Sequence, residues 1–513
     1  MLSGQRRKNS SSRQSWYVNR IIGICILARY EIHTVTMSVR PLVLPSIQSI
    51  LHEPYPVRVL QFGTGNFLRG FADWMFQKMN QRIRTDWGVA AVQTIGSSGT
   101  LSQQEGQFTV IETHASPQGV RYQYDRVQVV QNVLHAQRDW PALVALACTP
   151  ALRVILSNTT ENGIAFETEP LLTHTPARTY PGKLCQLLWA RFQAAAEPMI
   201  ILPCELIEQN GDTLKNCVLQ YARAWHLPQE FLVYVQRQAF CNTLVDRIVP
   251  GFPANPEYHW EALGYRDELL TLCESYSLWV IQGPAWVQQE LPFPQARLNV
   301  IYTQDIEPYR IRKVRILNGA HSIMAPMGLL AEIKTVREFM EHPVLGPFIK
   351  QTVSDDIVPF LPGDPAELHR YQQDVLARFL NPAIRHEFNS IILNSLSKYR
   401  VRILPALEAY YRLHHRLPDR LVMAFASLFL VYARAEASHP VNDQPEWLAE
   451  FKLRWSKRTT GERGLMKLVN ELLAHEEWWG KDLRTYPELA ERIASFFSRI
   501  EKQGVVPVIA EIR

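Results

Sequence analysis

The chain is poor in the features that mark several common classes of protein. Its seven cysteines are scattered through 513 residues with no CxxC pair, so neither a disulfide framework nor a zinc cluster is indicated, and a reducing compartment is expected. No GK[ST] follows a glycine-rich turn, which disfavours a P-loop nucleotide triphosphatase, and no HExxH is present. No internal repeat appears. The longest apolar stretches, "IIGICILA" at 21–28 and 421–433, are too short to span a bilayer.

A general basic surface is also missing. The net charge is +5, but residues 1–36 hold six Arg and Lys against one Glu, so the sequence from Met37 onward is neutral. No nucleic-acid partner is expected on that balance, and no membrane partner on the apolar runs. Residues 1–46 are read as an extension, disordered or upstream of the start of ordinary sequence at Met37. Their composition also leaves a transit peptide open. A cytoplasmic location follows for the rest.

What is present divides into two halves. "VRVLQF" (57–62), "GVAAVQTI" (88–95), "LRVILSN" (152–158) and "PMIILPCEL" (198–206) are almost continuously apolar, as burial on both sheet faces demands. Helical stretches at 66–80 and 183–196 alternate with them. This predicts an α/β Rossmann-like domain over 47–304 with a parallel, doubly wound sheet. Beyond residue 305 the period is helical (369–380, 387–399, 421–435) with proline-bearing breaks, predicting a mainly α-helical C-terminal domain over 305–513.

The first strand runs into "FGTGNF", Phe62, Gly63, Thr64, Gly65, Asn66 and Phe67. A strand ending in Gly-x-Gly and entering a helix aims backbone N–H groups and the positive helix end at an anion such as a pyrophosphate. The fingerprint is partial, because the third glycine would fall at Leu68 and the next is Gly70. An ordinary tight turn is the alternative. At the end of the second strand "QTIGSSGT" (93–100) offers neither the carboxylate nor the arginine that would separate NAD from NADP.

"KVRILNGAHSIMAP" (313–326) places Lys313, Asn318 and His321 within an arc of about 140° on a helix. One helix thus aims an amine, an amide and an imidazole at one cleft. Each has a plainer reading as a solvated lysine, a helix-breaking Asn-Gly and a core histidine.

With "SNTTENGI" (157–164), "PCELIEQNG" (203–211), "NTLVDRIV" (242–249) and "VIQGP" (280–284) added, the sequence resembles the mannitol dehydrogenase family of long-chain polyol dehydrogenases, and most closely its uronate-reducing branch. The resemblance runs from about residue 54 to the C-terminal region. It implies NAD as cofactor, with NADP not excluded, a small hexuronate or aldonate as substrate, and reversible reduction of D-tagaturonate to D-altronate without a metal. Lys313 matches the family's proton donor and acceptor. Asn210, Asn318 and His321 match residues around the reacting oxygen, and Asn158 and Thr159 join the glycine turn in the cofactor set. Asp246 matches a family position that either touches substrate or orients a neighbour. Lys398 and Arg402 are candidates for the substrate carboxylate or for a solvated helix face. The competing functions are a neutral-polyol 2-dehydrogenase of the same fold and a non-catalytic dinucleotide-binding protein. Oligomeric state is not legible.

Overall fold

The computed structural model describes residues 44–94, 99–116, 119–159, 163–171, 175–434, 441 and 443–512. Almost all of the 1–46 extension, Ile95–Ser98 after the second strand and residues 160–162 of the SNTTENGI motif lie outside that set.

Among the described residues, twelve strands build three sheets. The first is parallel throughout and comprises β1 (Val57–Phe62), β2 (Gly88–Gln93), β5 (Val130–His135), β6 (Val154–Ser157), β7 (Ile200–Pro203) and β8 (Ala239–Phe240), in the order β5-β2-β1-β6-β7-β8. The apolar runs are there because both faces are covered. Val59, Val89, Val154 and Ile200 point into one hydrophobic layer, and their neighbours Leu60, Ala90, Ile155 and Ile201 into the other. The chain reverses direction across the sheet between β1 and β6, the switch point at which such sheets take ligands. Phe62, Ser157 and Pro203 lie level in the ladder, so the residues that follow them share one edge.

Two three-stranded sheets flank it. One joins β3 (Phe108–Ser116), β4 (Gly119–Val127) and β10 (Thr271–Glu274); the other joins β9 (Asn242–Asp246), β11 (Leu278–Gln282) and β12 (Val300–Thr303). Strand β9 is the one that reaches the site.

Helix α1 (66–83) leaves the glycine turn, and α2 (Tyr180–Gln193) and α3 (Asn210–Ala224) cover the parallel sheet. After β12 the named elements are helical. Helix α4 (307–330) is continuous, including the Asn318-Gly319 pair. Helix α5 spans Pro365–Phe379, α6 Ser395–Arg402 and α7 Asp419–Ala433. The single helix expected over 387–399 is two pieces, Phe388–Ile391 and α6, because Asn394 takes the left-handed conformation (φ 54°) that asparagine tolerates. Helix α7 is buried along its length in the helical core, and no helix among the described residues is long and apolar enough to cross a membrane.

Candidate active site

The glycine turn divides its work between its two glycines. Gly63 sits at φ 124°, and a Cβ there would meet Leu68 Cδ1 at 3.0 Å and the Asn158 carbonyl oxygen at 3.2 Å. Only glycine fits that conformation and that approach. Gly65 is different: it is extended, it precedes the first turn of α1 with no side-chain cap, and a Cβ on it would meet nothing within 4 Å. The first turn of α1 therefore begins beside open space, an arrangement able to receive an anion at the positive end of the helix. Leu68, where a third glycine was looked for, packs over Gly63. The close helix packing moves to Gly70, whose Cβ would lie 3.0 Å from Val249 Cγ1 and 3.1 Å from Thr271 Cγ2.

Sequence reasoning missed the clamp on this turn. Arg69 is buried, donates to the Thr64 carbonyl at 2.7 Å and to Thr271 Oγ1 at 3.2 Å, and reaches Asn66 Oδ1. A cation in the first turn opposes the helix dipole; that oddity was the available signal. Of the other residues expected here, Asn158 donates its N–H to the Phe62 carbonyl at 3.1 Å, and Phe67 stacks on Phe71 at 5.0 Å. The Phe62 ring lies in the core, 5.0 Å from that of Tyr180, so Phe62 meets the turn's open side through its backbone only.

Lys313 is buried and lines a cavity of about 390 Å³ together with Glu205, Arg310, Asn318, Lys398 and Arg402. Its Nζ donates to the Val245 carbonyl of β9 at 2.9 Å, which fixes the amine's direction. Burial lowers its pKa most; the nearby Asp246 carboxylate opposes this, and the Arg378 and Arg402 charges add to it. A lysine so placed gives up its proton more readily than a free amine, as a group that both donates and accepts must. The local backbone helps, because Lys313–Asn318 is π-helical. Its i→i+5 bonds widen the turn and bring Asn318 nearly above Lys313, closer than α-helical spacing provides.

The remaining expected residues fall on both sides of this cavity. On the helical side, Lys398 donates to the Ile391 carbonyl at 3.0 Å and Arg402 to Ser322 Oγ at 3.1 Å. Arg310 is held by Glu307 and Glu208. On the sheet side Glu205, missed at the sequence level, is buried, with Oε1 accepting from Thr159 N (2.9 Å) and Oγ1 (3.0 Å) and Oε2 from Ser157 Oγ (3.1 Å). Burial raises its pKa against the pull of those bonds. A lone carboxylate directly after a buried strand was the cue.

Three more of the expected residues are engaged by the protein itself. The Asn210 amide donates to the carbonyls of Pro203, Glu205 and Thr243 at 3.0–3.1 Å and accepts from Thr243 N at 2.8 Å. It ties β7 to β9 and has no hydrogen left for a reacting oxygen. Asp246 is buried outside the cavity lining, accepting from Tyr371 (3.0 Å) and from Arg378 (2.8 and 3.1 Å), which also holds Glu274 at 2.8 Å. Burial works against its charge, but Arg378 and Lys313 hold its carboxyl below the usual range. Its side-chain hydrogen bonds are made to Tyr371 and Arg378. His321 is packed between Phe379 and His386, with ring centroids 4.6 and 4.5 Å away, and burial keeps it neutral. Arg247, next to Asp246, pairs with Glu112 at 2.6 Å. Among the described residues no group of three or more His, Cys, Asp or Glu is arranged to hold a metal ion.

Comparison with known proteins agrees with this fold. Residues 57–295 match the family described as the mannitol dehydrogenase Rossmann domain, and residues 305–501 the mannitol dehydrogenase C-terminal domain. The altronate oxidoreductase of Bacillus subtilis (strain 168) is 39% identical over 459 residues, 88% of this chain and 94% of that protein. That of Pectobacterium carotovorum subsp. carotovorum (strain PC1) is 38% identical over 468 residues, 88% and 96% of the two chains. The fold is shared with Pseudomonas fluorescens mannitol 2-dehydrogenase, solved as a ternary complex with NAD and D-mannitol (TM-score 0.70, 21% identity, covering 89% and 94%), and with a substrate-free D-sorbitol dehydrogenase (0.73, 22%, covering 89% and 96%).

Proposed function

This chain belongs to the mannitol dehydrogenase family, and from that premise we propose that it is an NAD-dependent oxidoreductase that reduces D-tagaturonate to D-altronate, reversibly, in the cytoplasm. The observation that carries the reading is the buried Lys313 amine, directed by Val245 into a cavity whose helical wall holds Lys398 and Arg402. The activity named for the Bacillus and Pectobacterium relatives supports the choice of acid. In this reading residues 47–304 bind the dinucleotide and residues 305–513 supply most of the substrate wall, with neither nucleic acid nor membrane as partner.

Gly63, Gly65 and the first turn of α1 would hold the pyrophosphate, with Asn158 and Thr159 beside it. When bound, the nicotinamide supplies the hydride acceptor or donor. Lys313 donates a proton to the carbonyl oxygen during reduction and removes it from the hydroxyl during oxidation. Asn318 donates an N–H to the same oxygen while negative charge develops on it. Lys398 and Arg402 bind the carboxylate and so place the keto carbon at Lys313. Asn210, Asp246 and His321 act at one remove, as supports.

A panel of sugars with NADH and with NADPH tests the reading. Because a charge-assisted contact is worth roughly 1.5–3 kcal/mol, kcat/KM for D-tagaturonate should exceed that for D-fructose by at least about tenfold. Equal values would favour a neutral-polyol dehydrogenase. Cofactor binding without turnover of any sugar would favour a sensor.

A further inference from the structure

Two acidic residues among the described ones line the cavity without a part in the proposed chemistry: Glu208, which is answered by Arg310, and Glu205, which is not. Glu205 is buried, and its three hydrogen bonds come from neutral donors: the Thr159 N–H, the Thr159 hydroxyl and the Ser157 hydroxyl. Among the described residues no cation lies within ion-pairing distance of it, although Arg310, Lys313, Lys398 and Arg402 line the same cavity. A buried carboxylate is ordinarily paired. Here the surroundings fix its place and leave its charge unanswered.

Its position along the sheet edge says what answers it. Phe62, Ser157 and Pro203 are level in adjacent strands β1, β6 and β7. The glycine turn, Asn158–Thr159 and Cys204–Glu205 therefore follow one another along that edge. The pyrophosphate belongs to the first and the reacting carbon to Lys313, in the cavity that Glu205 lines. A dinucleotide that joins the two passes Asn158–Thr159 and brings its nicotinamide end to Glu205. That ring carries one positive charge when oxidised and none when reduced.

We propose that the Glu205 carboxylate faces the nicotinamide ring and selectively stabilises the oxidised, cationic cofactor. Ser157 and Thr159 hold it there for that purpose, at the strand end next to the glycine turn. This rests on the proposed function insofar as that reading assigns a nicotinamide cofactor. A purely bracing role for Glu205, fastening the loop after β6, would weaken both cofactor forms alike, and a sugar-binding role would weaken neither.

Binding separates these roles without any turnover. Dissociation constants of the full chain for NAD+ (calorimetry) and NADH (fluorescence) would be measured for wild type, Glu205→Gln and Thr159→Val. Glu205→Gln is expected to weaken NAD+ at least about tenfold while changing NADH less than about twofold. Thr159→Val, which removes a supporting hydroxyl and no charge, should leave the ratio of the two constants within about twofold of wild type. An unchanged ratio in Glu205→Gln overturns the proposal, whether both constants move together or neither moves. Should that variant fail to fold, Glu205→Asp draws the charge back by one methylene and should give a ratio between the two; a wild-type ratio there overturns it equally. If the wild-type chain binds neither NAD+ nor NADH, the proposed function itself fails, which is a different result from an unmoved ratio.

Discussion

The glycine turn and the Lys313 cavity are the two ends of one site, built by opposite means. The turn is local: the six residues of FGTGNF, a backbone at φ 124° and an uncapped helix end create it. The cavity is assembled from the segment after β7, β9, α4 and α6, and its supporting charges come from residues more than a hundred positions apart, such as Asp246 and Arg378. Chemistry carried by the backbone survives most substitutions nearby, whereas chemistry carried by a buried amine depends on every charge around it.

The sharpest way to part the two is Lys313→Ala. Turnover should fall about 10² to 10⁴-fold, the usual contribution of general acid-base catalysis, while NAD binding at the turn persists in calorimetry. In the wild type the oxidation rate should rise with pH through an ionisation below the ~10.4 of free lysine, since oxidation needs the neutral amine, and that limb should vanish in the variant. Loss of cofactor binding instead would make Lys313 part of the turn's work. Next in size is Arg378→Ala, which leaves Asp246 and Glu274 buried without their cation; a loss of about 3–5 kcal/mol in chemical denaturation is expected. A shift much below that would mean the cavity is less dependent on its charges than its geometry says.

Acid and base should act on the two ends with opposite sign. Burial lowers the pKa of His386, beside His321, from 6.5 to about 4. The unfolded chain therefore binds the extra proton, and this contribution is complete above pH 6.5 and is lost as pH falls toward 4, about 2 kcal/mol by pH 5. Burial raises the pKa of Asp73 on α1 from 3.8 to about 7, against the Gln61 hydrogen bond and the Arg69 charge. Its contribution is complete below 3.8 and is lost as pH rises through 7. Denaturation as a function of pH should accordingly show His386→Leu flattening the acid limb and Asp73→Asn gaining on wild type as pH rises. The smallest effect is the most selective one: Gly65→Val adds a side chain where the structure leaves open space, so stability should hold while NAD affinity falls about tenfold.

Much of this was legible in the sequence, and the reasons for the rest are physical. Strands β1, β2, β6 and β7 stand out because burial on both faces makes them continuously apolar. Strand β9 does not, since Asn242, Thr243 and Asp246 are polar yet all buried through partners on other elements. In the hairpin of β3 and β4, β3 is buried from Phe108 to Thr113 although it mixes polar with apolar residues, and the half-buried β4 alternates too weakly to read. Lys313 and Asn318 were recognisable by motif and spacing and share the cavity. Asn210, Asp246 and His321 were recognisable too, but whether an amide or a carboxylate is spent on the protein itself depends on Thr243, Arg378 and Phe379, which no local pattern announces. Glu205 and Arg69 did carry local cues, a carboxylate after a buried strand and a cation in the first turn of a helix, but neither cue names the partners that give the residue its task.

The π turn at Lys313–Asn318 has a consequence for the history of the helix that carries it. Such a turn equals an α-helix with one residue inserted, and Arg69–Asp73, directly after the glycine turn, carries another. Removing a single residue from 313–318 would restore ordinary i→i+4 bonding. It would also rotate everything on one side of the cut by about 100° relative to the other, taking either Lys313 from the cavity or the downstream helix from its core. The chain thus keeps a less regular helix because regularity at that point would separate the amine from the amide it works beside.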